Sequence, residues 1–231
     1  MTTVGLVGGL GPESTIDYYR RILDAYASAN DGVTPSVVID SLDVKRALHL
    51  VATDLGALVE YLRDSIDRLS RAGADFIAMT ANTPHIVFDE LAAQSRVPLL
   101  SIVETCAEEA QQLGVKRLAL LGTRFTMDAP FYPAVFARYG VTVLAPGEAD
   151  RAWVHAKYVG ELLQGKFLED TRLEFVTLAE RLHHHQRIDG IILGGTELPL
   201  LLRAPSIADL PALDTTALHV AAIVRRLHVS S

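Results

Sequence analysis

The sequence predicts an α/β protein with two pseudo-symmetric domains, each built on a doubly wound parallel sheet. Two observations support this fold class. Short apolar runs rich in valine, isoleucine and leucine alternate with longer segments of helical periodicity, and similar segments recur at one fixed spacing. Alternation of this kind is typical of parallel strands whose connecting helices cover both faces of the sheet.

Five apolar runs are predicted to be buried strands. Each run is short and is bounded by glycine or by charged residues, as expected for strands that are buried on both faces. In chain order they are VGLVGG at 4–9, SVVID at 36–40, ADFIAM at 74–79, RLALLG at 117–122 and DGIILG at 189–194.

Four segments between these runs are predicted to be helices, because their apolar residues recur at helical spacing. They are STIDYYRRILDAYA at 14–27, TDLGALVEYLRDSIDRLSRAG at 53–73, VETCAEEAQQLG at 103–114 and LEFVTLAERLHHH at 173–185. No low-complexity linker interrupts the alternation of strands and helices.

An internal repeat divides the chain into two halves. Three residue pairs are each 114 positions apart: Gly8 and Gly122, Tyr18 and Tyr132, and Ile77 and Ile191. The spacing predicts a first α/β repeat at residues 1–114 and a second at 115–231, with the helix at 215–231 as a candidate to return to the first repeat. Chance similarity between common strand patterns is the alternative interpretation.

Composition limits the function classes. The chain has 231 residues, of which 49% are hydrophobic, with a formal charge of −7 and a pI near 5.6. This acidity argues against a nucleic-acid partner or an anionic membrane surface, since both need a basic face. The start lacks the pattern of a signal peptide, and no stretch approaches the roughly 20 apolar residues that span a bilayer. The single cysteine, Cys106, fits a reducing compartment. We therefore expect a cytoplasmic protein.

Two polar loops follow predicted strands at equivalent positions of the repeat. They are ANT at 81–83 and GTE at 195–197, and Ala81 and Gly195 are again 114 positions apart. Ligands of parallel α/β sheets bind outside the carboxyl ends of the strands, where loops expose backbone N–H groups. We therefore expect the loops to face each other across a cleft between the domains and to grip a small carboxylate. The alternative for each polar residue is an ordinary helix N-cap.

Five motifs resemble the cofactor-independent aspartate/glutamate racemase family, almost from end to end and in the family's order. They are GGLGPEST at 8–15, SLD at 41–43, ANTPH at 81–85, LGTRFTM at 121–127 and LGGTE at 193–197. The resemblance implies two pseudo-symmetric α/β domains with the active site between them, in agreement with the repeat. It also implies a homodimer, and chemistry at an α-carbon without pyridoxal phosphate.

The two loops lack the cysteines that members of this family usually carry there. The resemblance implies that two thiols act as opposed acid and base, but this sequence has Ala81 and Gly195 at those positions, and neither can transfer a proton. Cys106 lies in a predicted helix far from both loops. We therefore expect proton transfer by other residues, and we expect cysteines restored at 81 and 195 to confer or raise racemisation.

Three residues in or beside these loops are the candidates for proton transfer: Glu197, His85 and Thr80. Each also has a structural interpretation, since glutamate can support a loop and histidine can cap a helix. Asp43, Lys45 and His155 lie in or near the motifs as further titratable groups. The candidate substrate-binding residues supply hydrogen bonds, charge or close backbone approach, and are Gly9, Arg46, Ala81, Asn82, Thr83, Thr123, Gly195 and Thr196.

Two further patterns resemble cofactor or metal sites but lack the features that such sites need. The glycines of GLG at 9–11 follow a strand, as in a dinucleotide site, but Ser14 stands where the third glycine belongs. Three consecutive histidines, 183–185, point about 100° apart on a helix and are poorly placed to chelate one metal ion together. We therefore expect neither a cofactor nor a metal.

Three functional hypotheses follow from the sequence. The first is an amino-acid racemase or related isomerase that acts on a small amino acid or dicarboxylate with non-cysteine proton transfer. The second is a lyase or decarboxylase that uses the same carboxylate-binding loops and stabilises a carbanion or enolate by hydrogen bonds. The third is a catalytically inactive protein that binds a small acid.

Overall fold

The computed structural model describes residues 2–229, which form two compact units. The first unit comprises the described residues up to Ile102 together with those from His219 onward, and the second comprises Val103–Leu218. The sequence-based division at residue 114 concerns the repeat and stays a prediction.

The first unit contains a four-stranded sheet in the order β2-β1-β3-β4, and all its strand pairs are parallel. The strands are β1 Thr3–Gly8, β2 Ser36–Ser41, β3 Phe76–Met79 and β4 Leu99–Leu100. The helices of this part are α1 Pro12–Ala29, α2 Val44–Thr53, α3 Leu55–Arg71 and α4 Phe88–Gln94, with a 3-10 helix at Thr83–Val87.

Local sequence signals explain where the helices of the first unit begin and end. Pro12 opens α1, where its missing N–H is not needed. Asp43 caps α2, and Asp54 caps α3 by accepting a 3.0 Å hydrogen bond from the N–H of Ala57. Arg68 and Arg71 lie in the last turn of α3, where cations complement the helix dipole.

The second unit contains a five-stranded sheet in the order β6-β5-β7-β9-β8. The strands are β5 Arg117–Gly122, β6 Thr142–Leu144, β7 Gly190–Gly194, β8 Ser206–Ile207 and β9 Leu210–Asp214, and only the β8–β9 pair is antiparallel. The helices are α5 Ile102–Leu113, α6 Arg124–Asp128, α7 Phe131–Ala137, α8 Glu148–Gly160, α9 Glu169–Gln186, α10 Leu198–Leu202 and α11 Thr215–Val229, with a 3-10 helix at Leu162–Gln164. The unit boundaries fall inside α5 and α11.

The two sheets share one order of strands, since β2-β1-β3-β4 corresponds to β6-β5-β7-β9. Both bounds of β5 lie 114 positions after those of β1, and β7 begins 114 positions after β3. Tyr18 and Tyr132, the repeated tyrosines, are both fully buried. The predicted fold class, two α/β domains with parallel sheets, is therefore confirmed.

The predicted strands and helices also agree with the structure. The five apolar runs form β1, β2, β3, β5 and β7, and the four helical segments lie within or largely overlap α1, α3, α5 and α9. Between residues 2 and 229, no helix has both the length and the apolar character needed to cross a bilayer.

Candidate functional site

The ANT loop lies at the carboxyl end of β3, the second of the two central strands of the first sheet. Its residues are almost completely buried: Thr80 is 0% exposed, Asn82 is 2% exposed and Thr83 begins the 3-10 helix that follows. Ala81 is also buried. A polar loop that is buried at a strand end matches the expected position of a ligand site in such a sheet.

Hydrogen bonds tie this loop to the glycine-rich turn after β1. The Thr80 hydroxyl lies 3.2 Å from the carbonyl oxygen of Val7 and 3.2 Å from Oγ1 of Thr15. Thr15 donates to the carbonyl of Gly11 and accepts a 2.9 Å hydrogen bond from the N–H of Gly9. Thr80, a predicted proton carrier, thus has a buried hydroxyl that connects the two loops.

His85 holds the loop in place through both ring nitrogens. Nδ1 donates to the carbonyl of Ala81 at 3.0 Å, and Nε2 accepts from the N–H of Ile102 at 3.3 Å. Burial, and then repulsion from His219, lower the pKa of His85 to about 3. His85 is therefore neutral at physiological pH, with its hydrogen-bonding capacity used by the backbone, and its predicted role in proton transfer gains no support from these contacts.

Gly9 has a conformation and surroundings that only glycine accommodates. Its φ is 75°, in the left-handed region, and an added Cβ would lie 2.6 Å from both Leu42 N and Ser41 Oγ. Real Cβ atoms do not approach other atoms this closely. The backbone of the GGLG turn therefore packs directly against the SLD segment after β2.

We expect Gly9→Ala to lower the free energy of unfolding by about 3 kcal/mol or more, because steric overlap adds to the strain of a positive φ. Urea denaturation followed by circular dichroism measures this loss. Gly32→Ala is the matched control, since Gly32 has a φ of 83° but nothing within 4 Å of an added Cβ. A loss as small as that of the control, about 1 kcal/mol, would show that the turn relaxes to admit a side chain.

The GTE loop lies at the carboxyl end of β7, the equivalent strand of the second sheet. Thr196 is 1% exposed and Glu197 is 2% exposed. The Thr196 hydroxyl donates to Oε2 of Glu197 at 3.2 Å, and the same oxygen accepts a hydrogen bond from the hydroxyl of Tyr158 in α8. A buried phenol, a buried carboxylate and a buried hydroxyl therefore meet at this strand end.

Tyr158 occupies the space that a side chain at position 195 would need. An ideal Cβ built on Gly195 would lie 2.7 Å from both Cζ and Oη of Tyr158. A cysteine restored at 195 therefore requires the ring of Tyr158 to shift, and the expected gain of racemisation stays a prediction. Sequence reasoning missed Tyr158 as a site residue, because it lies on a helix 37 positions before the loop that it contacts.

The surroundings of Tyr158 have opposing effects on the pKa of its phenol. Burial, and then the charge of Glu197, raise the pKa of Tyr158 well above its usual value. The backbone N–H of Glu197 and the hydroxyl of Thr196 oppose that shift, because both hydrogen bonds favour a phenolate. The phenol is therefore protonated at neutral pH.

His155 lies one turn before Tyr158 on α8 and contacts the LGTRFTM motif after β5. Its Nδ1 accepts a 3.2 Å hydrogen bond from the N–H of Arg124, and its ring packs edge-on against Phe125. Burial, and then Arg124, lower the pKa of His155, whereas Asp128 opposes that shift. On helix α8, His155 therefore contacts the loop after β5, and Tyr158 contacts the loop after β7.

Thr123 connects these features as the N-cap of α6. Its Oγ1 accepts a 3.2 Å hydrogen bond from the N–H of Thr126. Gly122 pairs with Gly194 where β5 and β7 end, so that Thr123 and Gly195 follow neighbouring strand ends. The predicted residues of the second repeat, Thr123, Gly195, Thr196 and Glu197, therefore follow the ends of two adjacent strands.

The charged residues after β2 have structural partners. The Arg46 guanidinium lies over the ring of Tyr61 at 4.4 Å from the ring centre, and Arg46 is exposed. The Asp43 carboxylate accepts from the N–H of Lys45 at 2.8 Å, as the cap of α2. The predicted role of Arg46, to bind a distal carboxylate, stays a prediction.

The remaining cysteine and the histidine run have ordinary environments. Cys106 is fully buried in α5, and burial raises the pKa of its thiol, which keeps it protonated. His183 caps the end of α9 by donating to the carbonyl of Ile188 at 2.8 Å. Within residues 2–229, no cluster of three histidine, cysteine or acidic side chains is arranged to hold a metal ion.

Comparison with known proteins adds a family relationship to this geometry. Residues 7–223 match the model of the Asp/Glu/Hydantoin racemase family. The chain is 26% identical over 220 residues to the broad specificity amino-acid racemase RacX of Bacillus subtilis strain 168, and the match covers 93% of each chain.

Two solved structures resemble the fold closely. A candidate Asp/Glu racemase from Yersinia pestis is 33% identical with a TM-score of 0.87, covering 98% of this chain and 99% of that one. An aspartate racemase homologue from Pyrococcus horikoshii OT3 is 30% identical with a TM-score of 0.81, over the same shares of the two chains.

Proposed function

Because the chain belongs to the Asp/Glu/hydantoin racemase family, we propose that it is an amino-acid racemase-type isomerase. Its substrate is a small amino acid or dicarboxylate, and the reaction takes place at the α-carbon without pyridoxal phosphate. Proton transfer uses side chains other than cysteine. The lyase hypothesis finds no support among the relatives described above, so it is not pursued.

One observation carries the proposal: buried polar loops lie at equivalent strand ends of the two sheets. Asn82 and Thr83 follow β3, and Thr196 and Glu197 follow β7. Removing an α-proton places negative charge on the carboxylate and the α-carbon of the substrate. Hydroxyl, amide and backbone N–H donors stabilise such charge when they are held in place before the reaction.

The motif residues also suit chemistry without pyridoxal phosphate. That cofactor is held as a Schiff base by a lysine, and the loops at 8–15, 80–85, 122–127 and 193–197 contain no lysine. In this proposal the charge of the intermediate is therefore stabilised by hydrogen bonds alone. We also retain homodimer formation and a cytoplasmic location as predictions.

Proton NMR in deuterated water tests the proposed function. The purified protein is incubated with L- and D-aspartate, with L- and D-glutamate and with a panel of neutral amino acids. We expect the α-proton signal of at least one substrate to be lost. Chiral chromatography of the same sample is then expected to detect the opposite enantiomer. Binding by calorimetry without any exchange would instead identify a protein that binds amino acids and does not isomerise them.

We expect Asn82→Ala and Thr196→Ala each to weaken binding of the preferred amino acid by at least about 1 kcal/mol, because each removes a hydrogen bond to a charged group. Isothermal titration calorimetry measures the change.

The controls for these two substitutions remove the same side-chain types elsewhere. Asn30 donates to the carbonyl of Tyr26 at the end of α1, and Thr177 donates to the carbonyl of Leu173 on α9. Asn30→Ala and Thr177→Ala are expected to leave the affinity unchanged. Equal affinities for all four variants would place the substrate elsewhere.

A further inference from the structure

The hydrogen bond between Tyr158 and Glu197 joins two titratable side chains that the proposed reaction has not yet used. Tyr158 is 4% exposed and Glu197 is 2% exposed, and both lie at the carboxyl end of β7. Burial of a carboxylate is unfavourable unless hydrogen bonds compensate it, and an apolar pair of similar size would pack at lower cost. Buried titratable pairs of this kind concentrate at functional sites.

The carboxylate of Glu197 is not required to cap the helix that follows it. Glu197 stands at the N-cap position of α10, but its side chain makes no capping hydrogen bond. Its Oε2 instead accepts from the hydroxyls of Tyr158 and Thr196. The carboxylate is therefore directed at two O–H groups, one of which belongs to a different helix.

Gly195 leaves Tyr158 beside a stretch of backbone without a side chain. The Tyr158 Oη lies 2.7 Å from the point where a Cβ of residue 195 would be. The phenol therefore takes the place from which a side chain at 195 would act. This is a position directly after a central strand, where ligands of parallel sheets bind.

We propose that Tyr158 and Glu197 together form the proton carrier of this strand end, with Tyr158 contacting the α-carbon and Glu197 accepting the proton behind it. This inference rests on the proposed function. It assigns a catalytic role to Tyr158, and it gives Glu197 a role as the final proton acceptor.

The proposed step moves one proton through the phenol. The Tyr158 oxygen takes the α-proton as its own hydroxyl proton passes to Oε2 of Glu197. The C–H bond breaks, an O–H bond forms on the carboxyl group, and the electron pair stays on the substrate as an enolate. The backbone N–H of Glu197 stabilises negative charge on the phenol oxygen during the transfer. The reverse sequence returns a proton to the same face of the α-carbon, so this strand end accounts for exchange, and inversion needs a proton delivered from the opposite face.

Exchange of the α-proton with deuterium tests this step directly. The rate is measured by NMR for the unchanged protein, for Tyr158→Phe and for Glu197→Gln, and substrate binding is measured by calorimetry for all three. General acid-base groups contribute about 10²- to 10⁴-fold to a rate. We therefore expect each variant to exchange at least about 100-fold more slowly while affinity changes by no more than about threefold.

A second tyrosine and glutamate pair provides the control. Tyr139 lies two residues after the end of α7, and its hydroxyl donates to Oε1 of Glu104 at 2.7 Å. Tyr139→Phe removes the same type of hydrogen bond in the same unit, away from the strand ends that carry the site. Its exchange rate is expected to equal that of the unchanged protein.

The outcomes separate this inference from the function on which it rests. If the unchanged protein exchanges the α-proton and folded Tyr158→Phe does so at the same rate, the inference is wrong and the proposed function stands. If the unchanged protein binds amino acids without exchange, both fail. Should Tyr158→Phe not fold, Glu197→Gln decides, because it keeps the phenol and removes only the carboxylate that accepts the proton.

Discussion

Replacing Gly195 with cysteine is expected to lower the free energy of unfolding by about 3 kcal/mol, because a new side chain would overlap the buried ring of Tyr158. An ideal Cβ at this position lies 2.7 Å from Cζ of that ring, and the ring cannot move outward without leaving Glu197. Urea denaturation of the single variant measures the loss. The same substitution should also abolish α-proton exchange, since Tyr158 would be displaced from its hydrogen bond.

A second substitution should partly restore stability. In Tyr158→Val combined with Gly195→Cys, the smaller side chain makes room for the thiol, and we expect a favourable coupling of about 2 kcal/mol between the two changes. Gly147→Cys is the control, because nothing lies within 4 Å of an added Cβ there. If Gly195→Cys alone is as stable as the control, the ring of Tyr158 is not held as described. Any attempt to introduce two thiols must therefore combine cysteines at 81 and 195 with a smaller residue at 158.

Acidification is expected to destabilise the protein by about 4 kcal/mol between pH 7 and pH 5, through two buried histidines. Burial lowers the pKa of His219 to about 4, and the pKa of His85 is about 3. Both values lie below the ordinary value of about 6.5. In this range the unfolded chain therefore binds about two more protons than the folded protein. The part of the free energy of unfolding that depends on these histidines is fully present above pH 6.5 and is lost as the pH falls.

Burial keeps His219 neutral by lowering its pKa, against the opposing effect of the hydrogen bond to the Leu100 carbonyl. Nε2 donates to the carbonyl of Leu100 at 3.1 Å, and Nδ1 accepts from the hydroxyl of Tyr18 at 3.0 Å. A second proton on the imidazole ring would occupy Nδ1, and the Tyr18 hydroxyl would then lose its hydrogen-bond acceptor. Together with His85, this ring connects α1, the 3-10 helix after β3 and the segment that leads into α5 within the first unit.

The contribution of His219 is measurable through a variant. Urea denaturation at several pH values gives the slope of the free energy of unfolding, which we expect to be near 2.7 kcal/mol per pH unit between pH 6 and pH 5 for two protons. In His219→Gln the slope should fall by about half. His184→Gln, at an exposed position of α9, controls for the loss of a histidine. An unchanged slope in His219→Gln would mean that another group takes up the proton.

The sequence predicted the fold because the strands of parallel sheets leave a simple signal. Buried on both faces, RLALLG reads as a continuous apolar run, and its bounds match those of β5. Shorter elements were not predicted. β4 and β8 have two residues each, which is too few for any periodicity, and their positions depend on neighbouring strands.

The candidate site was predicted only where its residues are close together in the sequence. Asn82 and Thr83 were recognised because they follow a strand. Tyr158 was not, because it belongs to a helix whose pattern gives no sign of the glycine that it faces. Similarly, the neutral state of His85 depends on burial and on the proximity of His219, which are products of folding. The signal available in the sequence was the combination of Gly195 with Tyr158, a tyrosine three positions after the candidate residue His155.

The overlap between Tyr158 and position 195 limits the order in which the two residues can have been acquired during evolution. With tyrosine at 158, a residue at 195 that has a Cβ requires the tyrosine ring to shift. In a lineage where both positions changed, we expect the loss of the side chain at 195 to have come first, because the tyrosine then makes its return unfavourable. An alignment of relatives should therefore contain no chain that combines this tyrosine with cysteine at the equivalent of 195, and one stable protein with both would refute the constraint.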